Sequence, residues 1–263
     1  MGVATGFRDL DAILDGGLQK GCLYVLAARP SMGKTSMALS MIDYICFKKN
    51  RTVTYFSLED SKRQIIDRIL SLRAEIEYYK IRTGDVEGED WKRLAKVAES
   101  IGESKLIIDD TSCMDAQKIS AKCIGHRQDY DDLALVVIDY LQLLSGFDNN
   151  ESYERLFLKE IKRLRNLAIE LNRPIVVLSQ VSCVVEQRES HRPVLSDLIT
   201  SDAVLQCVDA VIFIYRDEYY NDDSEREGLA ELIVAKNNMG AVGTIEIEFD
   251  KCFAKFKNRQ NLW

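Results

Sequence analysis

The chain has 263 residues, which suits one large α/β domain, and its net charge of -7 argues against a broad basic surface for nucleic acid. Any DNA would therefore be bound by a few local groups or with help from other subunits. No apolar run is long enough to span a membrane. Seven cysteines without C-x-x-C spacing and only two histidines argue against zinc, and the lack of a secretory signal predicts reduced, mostly buried thiols in a cytoplasmic protein.

Apolar strand-like runs alternate with helix-like segments, which predicts an α/β fold with a mostly parallel central sheet between helices. The early runs are continuous and apolar, as expected for parallel strands covered on both faces. The last two alternate and lie close together, which predicts an antiparallel hairpin at one end of the sheet. The candidate strands are Cys22–Ala28, Thr52–Leu58, Lys105–Asp109, Leu133–Asp139, Pro174–Gln180, Ala210–Tyr215, Leu229–Ala235, Thr244–Phe249 and Cys252–Phe256.

The first predicted strand runs into the sequence Ala-Arg-Pro-Ser-Met-Gly-Lys-Thr at residues 28–35, and a helix-like segment follows. This order of strand, loop, Gly-Lys-Thr and helix is the context that a phosphate-binding loop requires. Backbone N–H groups would cradle phosphate oxygens, Lys34 would bring positive charge to the outer phosphates, and the Thr35 hydroxyl would ligate Mg²⁺. The residues expected to bind the nucleotide are Arg29, Pro30, Ser31, Met32, Gly33, Lys34, Thr35 and Ser36.

Alanine stands at position 28, where the phosphate-loop pattern has its first glycine. Alanine disfavours positive φ. However, Ala28 ends the predicted strand, and a methyl group there removes no backbone donor. We therefore expect the loop to bind a nucleotide despite the substitution.

Three predicted strands end in polar groups, at Glu59, Asp139 and Gln180. An apolar run ending in aspartate about a hundred residues after a phosphate-binding loop is typical of a Walker B site, whose carboxylate holds hydrated Mg²⁺; the alternative is an aspartate that caps a turn. Glu59 could polarise the attacking water, or could only begin the next helix, and spacing leaves both roles open. Gln180 could sense the γ-phosphate and signal to the following loop, or could only form a hydrogen-bonded strand end.

The clearest helix is predicted after Glu151. It carries an apolar stripe formed by Phe157, Ile161, Leu164, Ala168 and Leu171. The opposite face carries Arg155, Lys159, Lys162 and Arg163. A solvated surface is the preferred interpretation of this basic face, and a subunit contact or a phosphate-facing surface is the alternative.

Further motifs follow in a defined order along almost the whole chain. They are Thr5-Gly6-Phe7, Leu10-Asp11, Gly16-Gly17-Leu18, Gly21, Phe56-Ser57-Leu58-Glu59, Val137-Ile138-Asp139-Tyr140-Leu141-Gln142, Leu178-Ser179-Gln180-Val181, Glu186-Gln187-Arg188, Arg192-Pro193, Leu195-Ser196-Asp197-Leu198, Tyr215-Arg216-Asp217-Glu218-Tyr219-Tyr220 and Val234-Ala235-Lys236-Asn237. Together with the phosphate-binding loop, they resemble the C-terminal RecA-like ATPase domain of DnaB-type replicative DNA helicases.

The resemblance implies one RecA-like domain over residues 1–263 that hydrolyses ATP with Mg²⁺ and moves on single-stranded DNA. It implies that Glu59 is the general base, that Asp139 orders the metal-bound water, and that Gln180 is the γ-phosphate sensor. Such motors form hexameric rings with each nucleotide between two subunits, so Lys236 would stabilise γ-phosphate charge in a neighbour's site. A helicase loader or a primase is a further expected partner.

The sequence departs from the family in its DNA-contact loop and in its trans-acting cations. Asn238 stands where the family has a second trans-acting arginine, and Cys183 stands where a basic residue is common. The loop Asp197-Leu198-Ile199-Thr200-Ser201-Asp202 has lost the family's arginine and glycine. We therefore expect well-preserved ATP chemistry and weaker DNA handling, since a motor that tracks the DNA backbone needs phosphate contacts.

The helical N-terminal domain and linker helix of the complete family have no counterpart in this sequence, so we expect a monomer or weak oligomer in isolation. The preferred function is an ATP-dependent helicase motor that translocates on single-stranded DNA and unwinds duplex DNA during replication. The alternative is an ATP-binding ring or accessory subunit with weak DNA handling. A recombinase-type or clock-type relative fits the motifs less well.

Overall fold

The computed structural model describes residues 2–143, 153–198 and 202–259, and within them all nine predicted strands are present. Eight of them match the predicted bounds to within two residues at each end, and the last strand lies further along the chain than predicted. The strands are β1 (Leu23–Ala28), β2 (Thr52–Ser57), β3 (Leu106–Asp109), β4 (Leu133–Asp139), β5 (Ile175–Gln180), β6 (Ala210–Tyr215), β7 (Leu229–Asn237), β8 (Gly243–Asp250) and β9 (Lys255–Asn258).

The strands form one mixed sheet in the order β3-β2-β4-β5-β1-β6-β7-β8-β9. From β3 to β6 all neighbours are parallel, and every residue of β1, β2, β4 and β6 is buried. Burial on both faces explains why these strands are continuously apolar. The carboxyl ends of the parallel strands therefore share one edge of the sheet, where ligands bind in such folds.

The antiparallel part of the sheet is larger than the predicted hairpin, because β7 also pairs antiparallel with β6. Residues 216–228 join those two strands with a 3₁₀ turn and no α-helix, whereas the crossover to a parallel neighbour usually contains one. The predicted bounds Cys252–Phe256 for the last strand are also wrong. Asp250 accepts a hydrogen bond from the Cys252 N–H at 3.1 Å and Ala254 has a φ of 47°, so these residues form a turn before β9.

Helices cover both faces of the sheet, and two large apolar clusters fill the space between. The first cluster lies under α1, α2 and α3, and the second lies under α6, α7 and α8. The helices are α1 (Arg8–Ile13), α2 (Lys34–Ile42), α3 (Lys62–Ala74), α4 (Tyr78–Thr83), α5 (Glu89–Gly102), α6 (Ala116–Asp129), α7 (Tyr153–Leu171) and α8 (Asp202–Cys207).

Helix α7 is the amphipathic helix predicted after Glu151. Every residue of its apolar stripe is at most 4% exposed and belongs to the second cluster. Arg155, Lys159 and Lys162 are exposed, and Arg163 forms an ion pair with Glu160 at 3.0 Å. A solvated face and a subunit contact would both be exposed in a single chain, so the choice between them stays a prediction.

The prediction of mostly buried thiols is wrong, because only Cys22, Cys46 and Cys123 are buried. Cys113, Cys183 and Cys252 are exposed and Cys207 is half-buried. Among the described residues, no cluster of histidine, cysteine and acidic side chains could hold a metal ion by itself. None of the helices within these ranges is both long and apolar enough to cross a membrane.

Candidate active site

The phosphate-binding loop lies between the end of β1 and the start of α2, as predicted. Ala28 is the last residue of β1 and pairs with Gln180 of β5, so alanine is accommodated as part of the strand. Positive φ is needed later in the loop, at Ser31 (64°) and Gly33 (98°). A Cβ on Gly33 would also lie 3.0 Å from the Phe256 ring, so this position requires glycine for both conformation and space.

A cleft of about 440 Å³ opens beside this loop, at the carboxyl ends of the parallel strands. It brings together most of the residues that the sequence predicted for the nucleotide, and it adds side chains from α3 and from the antiparallel end of the sheet. The walls include Pro30, Ser31, Gly33, Lys34, Thr35, Ser36, Glu59, Asp60, Arg68, Gln180, Phe249 and Ala254.

Two predicted loop residues, Arg29 and Met32, do not line the cleft. Met32 is 1% exposed and packs in the first apolar cluster. The guanidinium of Arg29 bonds to the Val181 carbonyl oxygen and to Glu186. Any contribution of these two residues to nucleotide binding would therefore come from their backbone groups.

Asp139 lies just behind the cleft wall and is 3% exposed. Its Oδ2 accepts hydrogen bonds from the Thr35 hydroxyl at 2.7 Å and from the Tyr55 hydroxyl at 2.5 Å. Burial raises the pKa of Asp139, although these two hydrogen bonds and the charge of Lys34 favour the ionised form. The predicted Thr35–Asp139 pair is thus in direct contact.

Lys34 begins α2 and is half-buried in the cleft wall. Burial lowers its pKa, while the carboxylates of Asp139 and Glu59 oppose that shift. Within the described ranges, its ammonium group donates one long hydrogen bond, of 3.4 Å, to the Ala28 carbonyl oxygen. A phosphate group in the cleft would supply the negative charge and the acceptors that this cation lacks.

Glu59 lies at the exposed rim of the same cleft. Its pKa is raised, first by desolvation and then by the charges of Asp139 and Asp60, while Lys34 and Arg68 act in the opposite direction. A raised pKa brings a carboxylate closer to the range in which general bases are most efficient. The position and the charge environment of Glu59 both suit the activation of a water molecule.

The side chains around Asp139 fit a magnesium ion. Carboxylate and hydroxyl oxygens from Asp139 and Thr35 converge within 2.7 Å of each other, and Mg²⁺ prefers oxygen ligands. Mg²⁺ is usually held by one or two protein oxygens together with substrate phosphates and water. A site with two protein oxygens beside a phosphate-binding loop matches that pattern.

Sequence reasoning missed several residues of the cleft. Arg68 reaches it from α3 and forms an ion pair with Asp60 at 3.0 Å. The capping box of Ser61 and Gln64 at the start of α3 is readable from the sequence, and it would have placed Arg68 two turns into a helix next to Glu59. Phe249 comes from the antiparallel end of the sheet, and no local motif marks it.

Lys236 is not part of this cleft wall. Its ammonium group bonds to the carbonyl oxygens of Leu205 and, at 2.6 Å, Val208, at the end of α8. Asn238 is exposed. Ile199, Thr200 and Ser201 of the predicted DNA-contact loop lie outside the described residues.

Comparison with known proteins decides which family this site belongs to. The family model of the DnaB-like helicase C-terminal domain matches residues 2–258. The chain belongs to the DnaB-like helicase C-terminal domain family. It is 41% identical over 258 residues to the replicative DNA helicase DnaB of Geobacillus stearothermophilus, and 38% identical to the replicative DNA helicase DnaC of Bacillus subtilis. These alignments cover 98% of the chain but 56% of either relative, so the chain spans little more than half of their length.

Solved structures agree with the assignment to the DnaB-like family. A solved ATPase domain superposes with a TM-score of 0.94 at 34% identity, covering 99% of this chain and 92% of that one. A DnaB-like replicative helicase, studied with its interactions with primase, gives the same score and identity over 64% of its length. The RadB recombinase, at 18% identity and a TM-score of 0.60, shares the RecA-like fold alone. The predicted fold class is therefore confirmed.

Proposed function

We propose that this domain binds ATP with Mg²⁺ in the cleft and hydrolyses it to translocate on single-stranded DNA and unwind duplex DNA during replication. The observation that carries the proposal is the convergence of Lys34, the Thr35–Asp139 pair and Glu59 on one cleft beside a phosphate-binding loop. Each of these groups has a defined task in phosphoryl transfer. Membership of the DnaB-like family supports DNA as the substrate.

The chemistry follows from where each group lies. Glu59, at the rim, would take the proton of the attacking water, and Lys34 would stabilise negative charge on the outer phosphates. Thr35 and Asp139 would hold Mg²⁺, which neutralises phosphate charge when it is bound. Gln180 ends β5 in the cleft wall, and its backbone is held by the Gln142 amide through hydrogen bonds of 3.2 and 3.3 Å. From this place in the wall, Gln180 would report on the γ-phosphate.

The proposal includes a ring. In a hexamer with each nucleotide between two subunits, Lys236 would leave the end of α8 and reach the γ-phosphate of a neighbour. Single-stranded DNA would pass through the ring and contact residues 199–201. The solved DnaB-like helicase that was studied with primase supports a primase as partner, and a helicase loader is a second candidate.

A second candidate function is an ATP-binding ring or accessory subunit with weak DNA handling. Asn238 favours it, because an arginine finger in well-studied NTPases contributes about 10³–10⁵ to the rate and asparagine carries no charge. The net charge of -7 also favours it, because a negatively charged chain is repelled by the phosphates of DNA.

ATP turnover with and without single-stranded DNA, under conditions that allow ring formation, separates the two functions. The ATP turnover of a helicase motor should be stimulated by DNA. Lys34→Ala removes the cation that contacts the phosphates and Glu59→Gln removes the base, so each should lower turnover by a factor of about 10² or more. Glu89→Gln, on the exposed face of α5, is the matched control and should behave as the unmodified protein. Turnover that is equally fast with and without DNA would favour the accessory subunit.

A further inference from the structure

Arg29 is the residue of the phosphate-binding loop whose side chain leaves the cleft and crosses to another segment. Its Nη1 donates a hydrogen bond of 2.9 Å to the Val181 carbonyl oxygen. Its Nη2 and Nε both donate to Glu186 Oε1, at 2.6 and 2.9 Å. The Val181 N–H in turn donates to the Ala28 carbonyl oxygen at 3.1 Å. The start of the phosphate-binding loop is therefore tied at several points to the chain that follows β5.

Residues 181–198, here named the connecting segment, are held together as a unit. Val181 forms an antiparallel bridge with Leu198, and the Ser182 N–H donates to the Asp197 carbonyl oxygen at 2.8 Å. Asp197 is 2% exposed and forms an ion pair with Arg188. Both ends of the connecting segment thus lie side by side, and its last residue immediately precedes residues 199–201.

The contact of Arg29 with Glu186 contributes little to holding the fold together. Glu186 is about half exposed, with 47% of its side chain accessible, and exposed ion pairs add little to stability. The planar guanidinium nevertheless holds the Val181 carbonyl and the Glu186 carboxylate in a fixed relative orientation, because its donors form a rigid fork. Such a contact transmits a displacement of the loop more effectively than it stabilises the protein.

We propose that Arg29 is a positioning residue that couples the phosphate-binding loop to the connecting segment, whose Asp197 and Leu198 begin the predicted DNA-contact loop. When phosphates fill the cleft, the loop is ordered around them, and the bonds of Arg29 carry that change to Glu186. This inference rests on the proposed nucleotide-driven function. It adds a second connection beside Gln180, which enters the same segment from the cleft wall.

Hydrogen exchange with and without a non-hydrolysable ATP analogue and Mg²⁺ tests the coupling without DNA. In the unmodified protein, the analogue should slow exchange in the phosphate-binding loop and in the connecting segment. In Glu186→Gln, which keeps the shape but removes the charge, the loop should still be protected, while protection of the connecting segment should fall by about fivefold. Glu89→Gln, which breaks the exposed Glu89–Lys92 ion pair on α5, is the matched control and should change neither.

Stimulation of ATP turnover by single-stranded DNA gives a second readout. Glu186→Gln should retain turnover in the absence of DNA and its melting temperature, but should lose most of the stimulation. Arg29→Gln should lose the stimulation to a similar degree. The double variant should lose no more than either single variant, because both changes break the same connection.

Three outcomes would overturn the inference. Equal protection of the connecting segment in Glu186→Gln and in the unmodified protein would contradict the coupling alone. Additive losses of DNA stimulation in the double variant would show that the two side chains act separately. Protection of neither segment in the unmodified protein would contradict nucleotide binding as well, and with it the proposed function.

Discussion

Glu59 lies among like charges, and this sets how its activity should depend on pH. Desolvation, Asp139 and Asp60 all raise its pKa above 4.5, and a general base must be ionised. The kcat/KM of the free enzyme should therefore fall on the acid side at a pH above the ordinary range of glutamate. Asp60→Asn removes one of the raising charges, so it should move this fall to lower pH.

ATP titrates identically in assays of both proteins. A difference between Asp60→Asn and the unmodified protein in the pH at which kcat/KM falls therefore reports on Glu59 and not on ATP. Circular dichroism at each pH controls for acid unfolding. A fall at the same pH in both proteins would mean that the limiting group is not Glu59.

At the level of single residues, the sequence was informative where a motif ties chemistry to a strand end. Asp139 and Gln180 follow apolar runs, and the carboxyl ends of parallel strands meet at one edge. The direction of a side chain in a loop was not predictable. Arg29 belongs to the motif, yet its partner Glu186 is brought to it by the pairing of β1 with β5.

At the level of elements, the apolar stripe of α7 should matter far more to stability than its basic face. Leu164 is fully buried among residues of the second cluster. Leu164→Ala should lower the free energy of unfolding by about 2–5 kcal/mol through lost burial and a cavity. Lys162→Ala, on the exposed face of the same helix, should change it by about 0.5 kcal/mol or less. Urea titrations of both variants provide the measurement, and similar losses would contradict this packing.

Strands were predictable in proportion to their burial. The runs that became β1, β2, β4 and β6 are apolar throughout because both faces are covered, and their predicted ends shift by one residue at most. β9 lies at the edge of the sheet, and its start depends on the turn formed by Asp250 and Ala254. Such local turn geometry leaves a weaker pattern in the sequence than a covered strand does.

For the whole molecule, the arrangement of Lys236 raises the question of whether it serves its own subunit or a neighbour. Within one chain its ammonium group caps the end of α8, which follows the proposed DNA-contact residues. In a ring, the same ammonium group would be required at the γ-phosphate of the adjacent subunit. A role within one subunit and a role across the interface predict different ATP turnover for rings that contain two variants.

The ATP turnover of rings mixed from two inactive variants distinguishes the two roles of Lys236. Lys34→Ala lacks a working phosphate-binding loop but keeps Lys236, whereas Lys236→Met keeps the loop and lacks the cation. If Lys236 acts across the interface, a site with an intact loop from one subunit and Lys236 from the next is complete. In randomly assembled equimolar rings, about a quarter of the sites should then be active, since each interface joins two different surfaces. ATP turnover of the mixture should rise above that of either variant, and a mixture no more active than its parents would place Lys236 in a role within its own subunit.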